Sequence, residues 1–238
     1  MVRFEIEQWR AWAPGLDAPE DWARWAAQPS HAFDPDAQPD VAFLPALQRR
    51  RLSRLARMAF AVAAPLADGQ PPMPLVYVSR HGETPRTLGL LEELAREEPL
   101  SPTQFSLSVH NAIIGLWSIL RGDTSEMTAL AGEADGLEHA ILEACALLAE
   151  GAPQVLVIAA EDAPPAPYRP WIDDVPFAYA VALRLRAGDA WQLSLDGAAD
   201  APASPWPHPL ALVRRLLGAS VPPSIRYGSR TWTWQPAR

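Results

Sequence analysis

Cysteine is nearly missing from this 238-residue sequence, in which Cys145 is the one thiol. An intramolecular disulfide framework and a cysteine-rich metal site are thereby excluded. Long uncharged apolar runs are missing too. None reaches the roughly 18 residues that a membrane-spanning helix needs, and the opening MVRFEIEQWRAW has no apolar centre of the signal-peptide kind. Positive charge is not in excess. The 20 basic residues face 28 acidic ones, for a net charge of −8, which speaks against a generic nucleic-acid footprint. The basic residues are arginine without a lysine, and Ala, Pro and Trp are abundant; this bias carries little functional content. The expectation is a soluble cytoplasmic protein with no cofactor, no metal, no membrane and no nucleic acid among its partners.

What is present is a chain long enough for one domain with a sizeable core. The pattern predicts a first strand over 4–12 and a short helix over 21–27 carrying Trp22 and Trp25. A proline- and aspartate-rich loop follows over 28–40. Residues 45–64 read as one strong helix, with Leu44, Leu47, Leu55, Met58 and Val62 on a buried face and Arg49, Arg50, Arg54 and Arg57 opposite. A strand (PLVYVS, 74–79) leads into the loop Arg80-His81-Gly82-Glu83-Thr84, then a helix over 87–97. A further helix begins near Pro102 behind a Ser101 N-cap, with Phe105, Val109, Ile113 and Leu116 on one face. The turn Arg121-Gly122-Asp123 precedes a short strand at 126–131. Next come a helix over 134–150 that stops at Gly151 and a buried apolar strand at 155–160. Residues 177–186 and 191–196 read as a hairpin around Gly188-Asp189. The core is expected to span 1–200, followed by a short helix (209–217) and an aromatic tail, TWTWQP, within 201–238. Helix, strand, helix, buried strand is the unit of a layered α/β sheet.

Three segments in order, SPTQFSLSVHNAIIGLWSI, RGDTSEMTALAGEADGLEHA and EGAPQVLVIAAED, make the stretch 101–162 resemble the N-terminal half of a β-ketoacyl synthase. The first is similar to the family's dimer-side helix. The second is similar to its Arg-Gly, strand, nucleophile and helix; the third to its Gly, buried strand and acidic residue. The resemblance implies a thiolase-like half-fold with a mixed five-stranded sheet between helices. There is no room for the second half that supplies the family's two catalytic histidines.

The family's nucleophilic cysteine belongs at the start of the second helix. Matching Gly136-Leu137 to the glycine-leucine of chain length factors puts Glu133 there, whereas an ungapped count from Gly122 gives Ala131. No residue from 129 to 136 is Cys, Ser or Thr. A carboxylate at a helix N-terminus enjoys the macrodipole but forms no thioester; Glu133 and Asp135 equally suit a plain first-turn stabilising role. The resemblance therefore implies a subunit without condensing activity, similar to the chain length factor of type II polyketide or aryl polyene systems. It would pair with a catalytic ketosynthase and meet an acyl carrier protein only indirectly. By the same implication Phe105, Ser108, Val109 and Ala112 would floor the acyl tunnel, and Ser125, Met127 and Ala129 would lie at the partner interface.

Other readings compete with this one. Arg80-His81-Gly82-Glu83-Thr84 matches a histidine-phosphatase signature after a strand, though the later histidines, His110, His139 and His208, lack its context. Ser125 or Ser108 would be the nucleophile of a free-standing acyltransferase. Cys145, among Ile141, Leu142, Leu148 and Ala149 at helical spacing, reads as a buried small hydrophobe. His110-Asn111 reads as a polar pair inside a helix. The arginines of 49–57 read as a solvated face, or as a surface for an acidic carrier protein.

Overall fold

The computed structural model describes residues 1–29, 34, 36–196 and 201–236. Its organising strand is β5 (Tyr179–Asp196), 18 residues long. Strand β1 (Val2–Trp12) runs antiparallel along one flank of β5 over nearly its whole length, from Val2 opposite Leu193 to Trp12 opposite Ala180. The other flank is shared end to end. Strand β4 (Val155–Glu161) pairs antiparallel with residues 179–185, and β7 (Arg230–Pro236) with residues 191–196. Beyond β4 come β2 (Leu75–Val78) and β3 (Met127–Leu130), each parallel to its neighbour, and beyond β7 comes β6 (Ser224–Tyr227). The mixed sheet thus has seven strands, two more than the five expected from sequence.

Two cores flank the sheet because each buried strand alternates its side chains between the faces. Val76, Val157, Val181, Leu183 and Leu193 face one core. It is completed by helix α7 (Gly136–Ala149), helix α1 (Pro19–Ala27) with Trp22 and Trp25, and helix α8 (His208–Leu216). Leu75, Tyr77, Leu156, Ile158 and the small Ala178, Ala180 and Ala182 face the other, against the alanine-rich helix α3 (Arg54–Ala67). Alanine on both surfaces lets α3 lie close to β5. The next side chain on that face, Arg184, is buried; its Nη1 donates to the Leu66 carbonyl at 2.8 Å and its Nε to Glu7 at 2.9 Å. It thereby caps the last turn of α3, where the helix dipole favours a cation.

Three sequence expectations are corrected. The helix over 45–64 is two, α2 (Ala46–Arg49) and α3, because Ser53 turns its hydroxyl to the Ala56 N–H as an N-cap and starts a new helix. Leu47 lies on the short piece, 69% exposed. The helix from Pro102 is also two, α5 (Pro102–Ser106) and α6 (Ala112–Arg121). Between them the Ser108 hydroxyl donates to the Phe105 carbonyl at 2.8 Å, a local bond that competes with helix continuation. His110-Asn111 therefore lies in the turn, where His110 Nε2 meets the Ser79 carbonyl at 3.0 Å. Finally, residues 177–196 do not reverse into a hairpin. The segment around Gly188 bulges against Glu5, with the register against β1 shifting there, and β5 continues along the same partner. Helix α4 (Thr84–Ala95) completes the set.

The aromatic tail is the strand β7, with Trp232 and Trp234 almost fully buried. Phe4 packs edge-on against Trp234. Trp234→Ala is therefore expected to cost about 3–5 kcal/mol, read as a fall in the urea midpoint; a loss below about 1 kcal/mol would mean that β7 is not integral to the fold.

Candidate functional site

The chain enters α7 through Ala131-Gly132-Glu133-Ala134-Asp135-Gly136, and space decides its composition. A Cβ on Gly132 would lie 2.4 Å from the Gly136 Cα, and one on Gly136 would lie 2.8 Å from a Val78 methyl group. The turn is folded back on itself and pressed against the end of β2. Glu133, which sequence offers beside Ala131 for the nucleophile position, is exposed at the mouth of this turn, and its carboxylate accepts from Arg230 Nη2 at 2.7 Å.

Arg230, Trp232 and Trp234 alternate along β7, so all three face the same way. Each delivers a donor to an acidic residue at the start of α7. Arg230 also grips the fully buried Asp135 with two bonds of 2.6 and 3.0 Å, and the Trp232 indole adds a third at 2.8 Å. The Trp234 indole donates to the fully buried Glu138 at 3.0 Å. The second oxygen of Glu138 is paired with His208 Nδ1 at 2.9 Å, from the first residue of α8. Burial alone would raise the Asp135 pKa, but the bonds from Arg230 and Trp232 outweigh it and hold the carboxyl below its ordinary value. Burial pulls the His208 pKa down; Glu138, with Asp135 behind it, more than reverses this and leaves it raised. Sequence reading missed this clasp. Its one signal was the period-two pattern Arg-Thr-Trp-Thr-Trp, read as a tail.

The loop after β2 holds a third buried carboxylate. Glu161, at the end of β4, accepts from the Ser79 hydroxyl at 3.1 Å, from the His81 N–H at 3.2 Å and from the Arg80 N–H. Asp174 takes both Arg80 Nη1, at 2.7 Å, and His81 Nε2, at 2.9 Å. Glu83 is buried against Ser53 and Arg86. The arginine and histidine of the phosphatase-like signature thus share one carboxylate partner.

The other sequence candidates disperse. Phe105 and Val109 are 63% and 44% exposed, turned away from this chain's own cores, while Ser108 and Ala112 are half-buried. Ser125 donates its N–H to Asp123 at 2.9 Å. Met127 and Ala129 sit on β3, half-buried, at the edge of the sheet; the other flank of β3 carries no strand among the described residues. Cys145 is half-buried on α7, where burial pushes its thiol up to about 11, which disfavours the thiolate.

The family model of the β-ketoacyl synthase N-terminal domain matches residues 22–235. The chain belongs to the β-ketoacyl synthase family. A chain of the ketosynthase (ApeO) in complex with its chain length factor (ApeC) from Xenorhabdus doucetiae superposes with a TM-score of 0.87 at 29% identity, over 98% of this chain and 99% of that one. The ishigamide ketosynthase/chain length factor gives 0.61 at 15% identity, over 83% and 68%. A β-ketoacyl synthase from Burkholderia phymatum STM815 gives 0.56 at 16%, over 91% and 70%; these last two likenesses show the fold alone. No curated protein matches the sequence. The molecule is a thiolase-like ketosynthase half-domain, resembling chains of ketosynthase–chain length factor complexes. The phosphatase reading of residues 80–84 finds no support. Among the described residues no helix is long and apolar enough to cross a membrane, and no cluster of His, Cys, Asp and Glu has the form of a metal site.

Two measurements test this geometry. Gly132→Ala is expected to cost about 1–3 kcal/mol by overpacking, whereas Gly89→Ala, in an open position on α4, should be neutral or stabilising by up to about 1 kcal/mol. Equal melting temperatures for the two variants would contradict the crowding. The His208 pKa lies above its unfolded value, so the stability it contributes is complete below pH 6.5 and disappears as pH rises through the folded value. Between about pH 6 and pH 9 the wild-type urea midpoint should fall further than that of Glu138→Gln; parallel profiles would show that the pair does not govern this titration.

Proposed function

We propose that this ketosynthase-like chain carries out no condensation itself and acts as a chain length factor, pairing with a catalytically active β-ketoacyl–acyl carrier protein synthase. The observation that carries this reading is the start of α7. Where a condensing enzyme needs a thiolate, this chain has Glu133 in an ion pair with Arg230, and the helix terminus is occupied by Asp135 and Glu138. Acyl transfer needs a nucleophile that becomes an ester or thioester and donors aimed at the developing oxyanion; carboxylates already clasped by arginine and indole serve neither need. Two further observations support it. The chain matches, over nearly the full length of both, a chain of a ketosynthase–chain length factor complex. It also leaves an edge strand and apolar side chains, Phe105 and Val109, uncovered by its own fold.

In this reading the partner supplies the cysteine, the histidines and the carrier-protein docking surface. Ser125, Met127 and Ala129 face it from the edge of the sheet, because an unpaired strand edge with half-buried side chains gains most from a second edge. Phe105, Ser108, Val109 and Ala112 form the far wall of the acyl tunnel and limit chain growth in a polyketide, aryl polyene or fatty-acid-like pathway of the cytoplasm. The histidine-phosphatase alternative has no favouring observation.

Co-expression with a full-length ketosynthase should yield a co-purifying complex, while the isolated chain should show no malonyl-dependent elongation. In the complex, Val109→Trp should shorten the products with the complex intact, since that side chain bears on no core of its own chain. Elongation by the chain alone, or unchanged product length from an intact variant complex, would count against the respective half of the proposal.

A further inference from the structure

Ligands of open α/β sheets collect at the carboxyl ends of parallel strands, in the crevice where successive connections leave on opposite sides. That point lies between β2 and β4. The helices after β2 pack on one face of the sheet and α7 on the other. A cavity of about 310 Å³ opens there, at the small end of ligand pockets, which run from about 300 to 1,000 Å³. Val78, Ala159 and Leu137 form its floor, and Trp206 with Tyr179 forms an aromatic wall. Trp206 is held rigidly, with its ring 5.1 Å from Trp25 and 6.2 Å from Phe177.

The polar groups of this cavity differ in what they have left to offer. Of its carboxylates, Glu161 is filled by two backbone N–H groups and a hydroxyl, Asp174 by Arg80 and His81, and Glu133 by Arg230. Asp173 is exposed at the rim. His208 also lines the cavity while only 5% exposed. An ion-pair contact of 2.9 Å with Glu138 engages its Nδ1, and Nε2, without a hydrogen-bond partner among the described residues, remains to bind a ligand. At the mouth Arg226 gives one donor, Nε, to the Ala201 carbonyl at 3.2 Å and keeps its terminal nitrogens. Apart from Asp173 at the rim, the unanswered charged and donor groups are thus His208 and Arg226, set in an apolar, aromatic bowl.

We propose that this cavity is a binding site for a small carboxylic acid with a flat apolar body, the carboxylate on His208 Nε2 with Arg226 at the mouth and the body against Trp206. Glu138 acts as the positioning residue, aiming the imidazole. The site lies wholly within this chain and does not depend on the proposed partnership, so the chain alone tests it.

Benzoate is the probe and benzamide its neutral isostere, titrated into the full-length chain by calorimetry and ligand-observed saturation-transfer NMR. Saturable benzoate binding is expected, with benzamide roughly ten- to a hundredfold weaker, as the loss of a charge-assisted hydrogen bond implies. His208→Gln should weaken benzoate by a similar factor. Ala203→Trp, at an exposed position of the cavity wall, should block the space without touching the core, and so decides the matter should His208→Gln fail to fold. Equal affinity for the two probes overturns the proposal. So do absence of saturation up to about 10 mM and undiminished binding in folded His208→Gln or in Ala203→Trp.

Discussion

The clasp of β7 on the start of α7 is the contact from which the rest of this half-domain follows. Burying Asp135 and Glu138 completely, as this chain does, is costly unless each charge finds donors. Arg230, Trp232, Trp234 and His208 supply them, and all four come from the last thirty or so residues. Helix α7 is therefore anchored at both levels. Its dipole favours the acids at its first turn, and the acids hold in place the strand that closes one end of the sheet. Removing any one donor leaves a buried carboxylate unanswered, and removing a carboxylate leaves an indole or imidazole without its partner.

The acidic groups at the start of α7 have a structural use. Gly132 and Gly136 bring the entry turn so close to β2 that no bulkier residue fits, and the arginine of a hairpin lies across it. The β6–β7 hairpin also extends the sheet beyond β5, adding two strands where a core of 1–200 had promised an end.

Much of the architecture was legible in the sequence for a simple reason. The buried strands 75–78 and 155–161 are continuous apolar runs bounded by turn residues, and α7 carries its stop at Gly151. What failed were the cases in which a local pattern is overridden by something distant. Leu47 sits at helical spacing with Leu44 and Leu55, but Ser53 caps a new helix and strands it at the surface. Gly188-Asp189 has the chemistry of a hairpin turn, but β1 offers an edge long enough to keep the chain straight through a bulge. The acidic start of α7 was readable from the sequence; its arginine, nearly a hundred residues away, was not, because nothing in a tail of alternating threonine and tryptophan names its target.

Strand β1 has consequences for how the molecule is made. Among the described residues, strand β1 pairs with β5 alone, whose far end lies at residue 196. At about 5–20 residues per second, a ribosome delivers Leu193 roughly 10–40 s after Val2. Throughout that interval the first segment of the chain is an unpartnered, aromatic-bearing edge awaiting a strand not yet synthesised. Closing so long a loop slows folding, and the nascent chain is a natural client for whatever shields sticky segments in the cell.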